Sequence, residues 1–143
     1  MPHADYTVTI NRPVEAVFAY VADGENCPQW RSGVLDIRHT GGGDAVGATY
    51  GQGVKGPFGR RISADYEITA YEPNRLIEFQ TTAGPARPHG RYEFSPSDGG
   101  TRLAFTLDAT LTGVQRLLMS SMVQQTMNSE VRALDRLKSV LEG

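Results

Sequence analysis

The sequence predicts an α+β fold in which a curled, seven-stranded antiparallel sheet surrounds one long C-terminal helix, with two short helices after the first strand. Three observations carry this prediction. Residues 34–111 follow a period of two, as strands do. Turn signals rich in glycine and proline separate the successive strands. After Gly113, apolar residues recur at helical spacing almost to the end of the chain.

The N-terminal segment predicts the first strand and the two short helices. Apolar residues alternate with threonines over residues 6–10, which is the pattern of a half-buried strand. Asn11 supplies a capping side chain and Pro13 favours the first turn of a helix. Apolar residues at positions i, i+3, i+4 and i+7 then predict a helix over residues 14–21. Residues 25–31 predict a second short helical turn.

Six further strands are predicted in the middle of the chain. In the clearest of them, Leu103, Phe105 and Leu107 share one face, while Arg102 and Thr106 lie on the other. Because short turns connect these strands and one face is polar, the sheet is expected to be antiparallel and covered on one side. The predicted strands cover residues 34–40, 47–56, 60–71, 75–83, 89–95 and 101–111.

The long C-terminal helix is too narrow to cover this sheet. The apolar stripe from Val123 to Leu141 predicts a single helix of roughly 30 residues, about 45 Å long. Seven strands laid flat would span about 30 Å, whereas one helix is about 10 Å wide. The sheet is therefore expected to curl around the helix. The interior that the helix leaves unfilled predicts an apolar cavity for a small molecule.

Composition and charge exclude several classes of function. The 143 residues fit one domain, 1–143, and the net charge of −2 without a basic segment predicts no nucleic-acid partner. The longest apolar run, residues 16–22, is too short for a membrane span, and no leader pattern opens the chain. We therefore expect a soluble, cytoplasmic protein. Cys27 is the single cysteine and the three histidines are scattered, so no disulfide, metal site or cofactor is expected.

A glycine-rich segment, Gly51–Gly56, matches the spacing of a dinucleotide-binding turn, but its context excludes that role. Such a turn needs a helix directly after it, whereas Pro57 and Gly59 lead into another strand here. We interpret the segment as a flexible arm beside the cavity mouth. The arginines near this arm and the loop at 84–88 are Arg60, Arg61, Arg87 and Arg91. They are interpreted as a solvated rim, with a site that attracts a carboxylate or phosphate as the alternative.

The candidate ligand-binding residues are those expected to point into the predicted cavity. They are aromatic or mildly polar on the sheet and mostly apolar on the long helix, where three of the four methionines occur. The set is Trp30, Tyr50, Gln52, Tyr66, Phe79, Tyr92, Phe105, Met119, Met122, Val123 and Met127. The alternative, that these side chains only fill the core, stays open. The acidic residues of the strands fall on the polar face, so no carboxylate pair is expected in the cavity and no catalytic residue is predicted.

Four stretches of the chain are similar, in their order, to a known superfamily. They are residues 8–18, with a strand, a proline and a short helix; Pro28-Gln29-Trp30; residues 71–79; and residues 99–103. Together they resemble the START-like, or SRPBCC, helix-grip proteins, in the polyketide cyclase/dehydrase and lipid-transport branch. The resemblance implies a helix-grip fold that encloses a lipid- or polyketide-like ligand between the sheet and the C-terminal helix.

We therefore predict a protein that binds a small hydrophobic or aromatic molecule, and a homodimer stays open. The alternative is an aromatase/cyclase-like enzyme, which the resemblance suggests. That alternative predicts an ionisable group facing the cavity, with Tyr50, Tyr66 or Arg91 as candidates. A third hypothesis, an interaction protein with a filled core, requires an exposed apolar patch, and nothing in the sequence marks one.

Overall fold

The sheet of this protein curls around a C-terminal helical segment. The computed structural model describes residues 2–56, 59–84, 86–111 and 113–143, and the side chains of these residues outside 113–119. Seven strands form one continuous path of paired neighbours, and an eighth, short strand pairs with one of them. All of these pairings are antiparallel. The predicted α+β, helix-grip fold class is therefore confirmed.

The elements lie close to the bounds that the sequence predicts. The strands are β1 (His3–Ile10), β2 (Val34–Gly41), β3 (Thr49–Lys55), β4 (Arg61–Ser63), β5 (Tyr66–Glu72), β6 (Leu76–Thr81), β7 (His89–Ser97) and β8 (Gly100–Asp108). The helices are α1 (Val14–Ala22), a 3₁₀ helix (Gly24–Gln29), α2 (Gly113–Arg132) and α3 (Leu134–Glu142). In the sheet, seven strands follow one another in the order β1-β8-β7-β6-β5-β3-β2, and the short strand β4 pairs with β3.

The predicted strand over residues 60–71 is divided into β4 and β5, although its register on β3 does not change. Gly53 pairs with Ser63 and Tyr50 with Tyr66, which is one continuous antiparallel alignment. Between these pairs, the Gln52 N–H donates to the Asp65 carboxylate at 3.0 Å and not to a strand carbonyl. A side chain thus replaces one ladder hydrogen bond, while the alternation of inward and outward residues is kept.

The predicted single C-terminal helix is divided at Ala133. This residue keeps helical dihedral angles, φ −60° and ψ −16°. Its N–H donates to the Glu130 carbonyl three residues earlier, at 3.1 Å, so the chain makes one tighter turn between α2 and α3. The apolar stripe continues across this turn, and Val131, Leu134 and Leu137 are all buried against the concave face of the sheet. No helix in the described part of the chain is long and apolar enough to span a membrane.

Candidate functional site

A cavity of about 380 Å³ lies between the concave face of the sheet and α2. This volume is within the range of small-molecule sites. Most of its lining is apolar: strands β6 and β8 supply the floor, and α2 supplies the facing wall. The main apolar residues of the lining are Phe79, Phe105, Leu107, Val123 and Met127.

A glycine on the neighbouring strand allows the Phe79 ring to lie flat on the sheet. Phe79 pairs with Gly90 across β6 and β7. A Cβ atom on Gly90 would lie 2.1 Å from a carbon of the Phe79 ring, so the ring occupies the space that any other residue's side chain would need. The floor of the cavity therefore depends on a glycine that does not itself line it.

Aromatic side chains fill the interior beside the cavity. Tyr50 and Tyr66 stack with ring centroids 5.1 Å apart, and Tyr92 stacks on Phe105 at 4.2 Å. Phe79 lies between these two pairs, 5.3 Å from the Tyr66 ring and 5.9 Å from the Tyr92 ring. The row crosses five strands of the sheet, and the cavity lies alongside it.

The tyrosines of this row are neutral groups. Burial raises the pKa of Tyr66 and of Tyr92 well above the ordinary value of 10.0. Burial likewise raises the pKa of Tyr50. Because none of the three phenols ionises near neutral pH, their rings serve as neutral packing groups.

One end of the cavity is polar and carries a buried ion pair. The Arg31 Nε atom lies 2.9 Å from the Glu130 Oε2 atom, and the two side chains are only 11% and 19% exposed. The Arg31 Nη1 atom also donates to the Gln52 Oε1 atom at 3.3 Å and to the Cys27 Sγ atom at 3.5 Å. Burial by itself would lower the pKa of Arg31, but the Glu130 carboxylate raises it well above its ordinary value. Arg31 is therefore cationic.

Three separate elements bring this polar end together. Arg31 follows the 3₁₀ helix, and its N–H donates to the Cys27 carbonyl at 2.7 Å. Glu130 lies near the end of α2, and Gln52 lies on β3. Neither charged residue was predicted from the sequence as part of the site, because 99 positions separate them along the chain. One signal was available: Glu130 lies three residues after Met127 and next to Val131, at the edge of the buried stripe.

The mouth of the cavity lies between the β3–β4 arm and the loop after β6. Lys55 and Gly56 of the arm line the cavity, as does Arg87 of the loop. The two segments are in contact, because a Cβ atom on Gly84 would lie 2.5 Å from the Ser63 carbonyl oxygen. The arm therefore borders the mouth.

Two of the predicted rim arginines lie on the outer face of the sheet. Arg61 forms a two-bond ion pair with Asp36, with both distances at 2.8 Å. Arg91 lies 3.8 Å from Glu78 and 3.6 Å from Glu93. The expectation of Arg91 as an ionisable group facing the cavity was therefore wrong. The alternation of β7 directs Tyr92 inward and Arg91 outward.

The candidate residues from the sequence divide into two groups in the structure. Those that line the cavity are Gln52, Phe79, Phe105, Met122, Val123 and Met127. Those that are buried in the adjoining aromatic packing are Trp30, Tyr50, Tyr66 and Tyr92. The side chain of Met119 lies outside the described residues. Among the described residues, no group of three or more His, Cys, Asp or Glu side chains is arranged to hold a metal ion.

The chain belongs to the polyketide cyclase/dehydrase and lipid transport family, whose family model matches residues 1–142. The START-like relationship that the sequence motifs suggest is therefore confirmed. No curated protein matches the chain in sequence.

Solved structures with the same fold come from distant relatives. TTHA0849 from Thermus thermophilus is 21% identical, with a TM-score of 0.79 over 98% of this chain and 97% of that one. A START superfamily protein from Mycobacterium smegmatis is 18% identical, with a TM-score of 0.77 and the same coverage. The di-domain ARO/CYC StfQ from the steffimycin biosynthetic pathway is 12% identical, with a TM-score of 0.81 over 98% of this chain and 50% of that one. At these identities the similarity establishes the fold.

Proposed function

We propose that this protein binds a small hydrophobic or aromatic molecule, lipid- or polyketide-like, in the cavity between the sheet and α2. The observation that carries this proposal is the cavity of about 380 Å³, apolar along most of its lining and polar at one end. Burial of an apolar ligand surface provides the free energy of binding, at roughly 25 cal/mol per Å². Membership of a family of cyclases, dehydrases and lipid-transport proteins supports the same ligand class.

The polar end of the cavity is suited to orient the ligand. Arg31 uses its Nε and Nη1 atoms for Glu130, Gln52 and Cys27, and its Nη2 atom has no hydrogen-bond partner among the described residues. No fully buried side-chain nitrogen or oxygen of these residues lacks a partner, so this nitrogen is accessible. It can donate to a hydroxyl or carbonyl oxygen at the inner end of a ligand.

The test is retention of a ligand by the folded protein. The purified protein is incubated with lipid and polyketide extracts and examined by native mass spectrometry. We expect a bound small molecule, and we expect Val123→Trp, which places an indole in the cavity, to remove it. Val140→Trp, on the 37% exposed side chain of α3, is the matched control and should retain the ligand. Equal retention by both variants, or none by the unmodified protein, would contradict the proposal.

A second candidate function is aromatase/cyclase-like catalysis, which the buried ion pair favours. The Glu130 carboxylate can remove a proton from the carbon between two ketone groups, while Arg31 stabilises the enolate oxygen that forms. The enolate carbon then bonds to a second carbonyl carbon of the same chain, and the oxygen of that carbonyl takes the proton back from Glu130. Loss of this hydroxyl together with the remaining proton of the bonding carbon releases water and forms a carbon–carbon double bond. Positioning of the flexible substrate by the cavity would supply the remaining rate enhancement.

This candidate is tested with a model poly-β-ketone. Glu130→Gln should lower kcat by about 100-fold or more, which is the usual contribution of a general base. The far-ultraviolet circular dichroism of the variant serves as the folding control, and Glu130→Asp should recover part of the rate. Turnover of the Gln variant at the unmodified rate would exclude Glu130 as the base.

A further inference from the structure

Two buried phenol hydroxyls form no hydrogen bond within the part of the chain that the structure describes. They belong to Tyr66 and Tyr92, residues that are only 7% and 6% exposed. The hydroxyls of Tyr6 and Tyr20, in contrast, donate to side-chain oxygens at 2.9 Å and 2.6 Å. A buried hydroxyl that makes no hydrogen bond has lost water without replacing it, so it favours any acceptor that can reach it.

The Tyr92 hydroxyl faces open space inside the fold. No fully buried side-chain oxygen of the described residues lacks a partner, so this oxygen, which has none there, is not sealed by protein atoms. Tyr92 lies on the concave side of β7, two strands in from the β1 edge, and the space is therefore within the curl of the sheet. The Tyr92 ring stacks at 4.2 Å on Phe105, which lines the cavity.

The polar end of the cavity lies beside this phenol. The Trp30 ring meets the Tyr92 ring edge-on, with centroids 6.4 Å apart, and Arg31 follows Trp30 in the chain. Burial raises the pKa of Tyr92, the Arg31 cation opposes this increase, and the Glu130 carboxylate adds to it. Both members of the ion pair therefore lie close enough to act on the Tyr92 hydroxyl.

Arg31 and Tyr92 each offer a hydrogen-bond donor at this end. The Arg31 Nη2 atom can only donate, and its Nε and Nη1 atoms already bond to Glu130, Gln52 and Cys27. The Tyr92 phenol is neutral and keeps its proton. Two neighbouring donors match one oxygen that has two lone pairs. A carbonyl oxygen accepts both hydrogen bonds and has no proton of its own to place.

We propose that the inner end of the cavity reaches the Tyr92 hydroxyl, and that this hydroxyl and the Arg31 Nη2 atom donate together to the carbonyl oxygen of a hydrophobic ketone. This inference rests on the proposed binding function and specifies the ligand class. The apolar body of the ketone lies against Phe105 and Met127. A neutral acceptor is favoured over a carboxylate, because Glu130 is 2.9 Å from Arg31 and would repel a second negative charge.

The test compares a ketone with a hydrocarbon of the same shape. 2-Acetylnaphthalene and 2-isopropenylnaphthalene differ only in a C=O or C=CH₂ group, and each is titrated against the protein by calorimetry. We expect the ketone to bind at least about tenfold more tightly, because it accepts two hydrogen bonds and one donor is charged. In Tyr92→Phe this preference should fall about fivefold, through loss of ketone affinity.

The infrared carbonyl stretch of the bound ketone provides a second readout. Hydrogen bonds to a carbonyl oxygen lower its stretching frequency. The frequency should therefore be lower in the complex with the unmodified protein than in the complex with Tyr92→Phe. A tyrosine that acts only through ring packing would not produce this difference, because phenylalanine keeps the ring.

The control variant is Tyr71→Phe, which removes a phenol hydroxyl from a residue that does not line the cavity and packs edge-on against Phe18. It should keep both the preference and the carbonyl frequency. Equal affinity of the unmodified protein for ketone and hydrocarbon would overturn this inference and leave the proposed function intact. A preference that is unchanged in Tyr92→Phe would also overturn it. Binding of neither compound would contradict the proposed function itself.

Discussion

Arg31 and Glu130 are the residues on which the polar end of the cavity depends. Removing a charge from water costs several kcal/mol, and the attraction between buried partners compensates for this only while both are present. The pair also joins the end of the 3₁₀ helix to α2, and through Gln52 to β3. Its loss therefore affects both the ligand site and the contact between these elements.

The contribution of this pair to the free energy of unfolding depends on whether one partner or both are removed. Arg31→Met should lower the free energy of unfolding by about 3–5 kcal/mol, because Glu130 would remain buried without a partner. Arg31→Met/Glu130→Met should recover most of that loss, since the double variant buries no unpaired charge. Urea denaturation of the three proteins measures both values.

The exposed pair of Arg61 and Asp36 is the control for this experiment. Its side chains are 51% and 54% exposed, so Arg61→Met should cost less than about 1 kcal/mol. If Arg31→Met and Arg61→Met lower the free energy of unfolding by the same amount, the Arg31–Glu130 pair contributes no more than an exposed ion pair, and the prediction is wrong. If Arg31→Met/Glu130→Met is as unstable as Arg31→Met, the stability lost in Arg31→Met does not come from the unpaired Glu130 carboxylate.

At the scale of elements, a histidine links β1 to β8. His3 pairs with Asp108 across the two strands, and its Nδ1 atom lies 2.5 Å from the Asp108 carboxylate. The Nε2 atom lies 2.9 Å from the carboxylate of Asp5 on the same strand. The hydrogen bond to Asp108, and then that to Asp5, raise the pKa of His3 above its ordinary value of 6.5.

A pH dependence of stability follows from this arrangement. Because the folded pKa of His3 is raised, its stabilising effect is complete below the unfolded pKa of 6.5 and is lost as pH rises through the folded pKa. The unmodified protein should therefore lose more stability than His3→Gln as pH rises from below 6.5 through the folded pKa of His3. Chemical denaturation at several pH values measures the difference.

Asp108→Asn is the control at this edge of the sheet. It removes the largest cause of the raised pKa of His3 and should reduce the pH dependence while leaving the histidine in place. The prediction is contradicted if the free energy of unfolding changes equally with pH in the unmodified protein and in His3→Gln over this pH range. The side chain of His3 is 49% exposed, so salt should weaken the effect.

At the scale of the whole molecule, the cavity exists because a curled sheet is wider than the helical segment that it surrounds. The row of aromatic rings from Tyr50 to Phe105 fills the interior alongside the cavity. The α2 wall meets the floor of β6 and β8 around a volume of about 380 Å³. A ligand in this volume would touch α2 and the sheet at once, so it would stabilise their contact.

The alternation and the helical stripe determined the fold, because both report directly which face of an element is buried. Leu103, Phe105 and Leu107 are buried on β8, as their period predicts. The same logic identified Phe79, Val123 and Met127, which line the cavity. The sequence predicted one strand over 60–71 and not the division into β4 and β5. The reason is that the Asp65 carboxylate replaces one backbone hydrogen bond there without changing the alternation of inward and outward side chains.

Only the tertiary structure decided which inward residues border the cavity and which fill the core. Tyr50, Tyr66 and Tyr92 have the same inward phase on their strands as Phe79, but they are packed in the core. Tyr50 and Tyr66 stack on each other, Tyr92 stacks on Phe105, and Trp30 meets the Tyr92 ring edge-on. Periodicity shows on which face of the sheet a side chain lies, but not whether that side chain borders the cavity or is packed in the core. The Arg31–Glu130 pair also required the fold, since distant segments meet there and no local pattern marks a charge for burial. By itself, the sequence determined a curled sheet around a helix; the chemistry of the space between them was decided by packing over long separations.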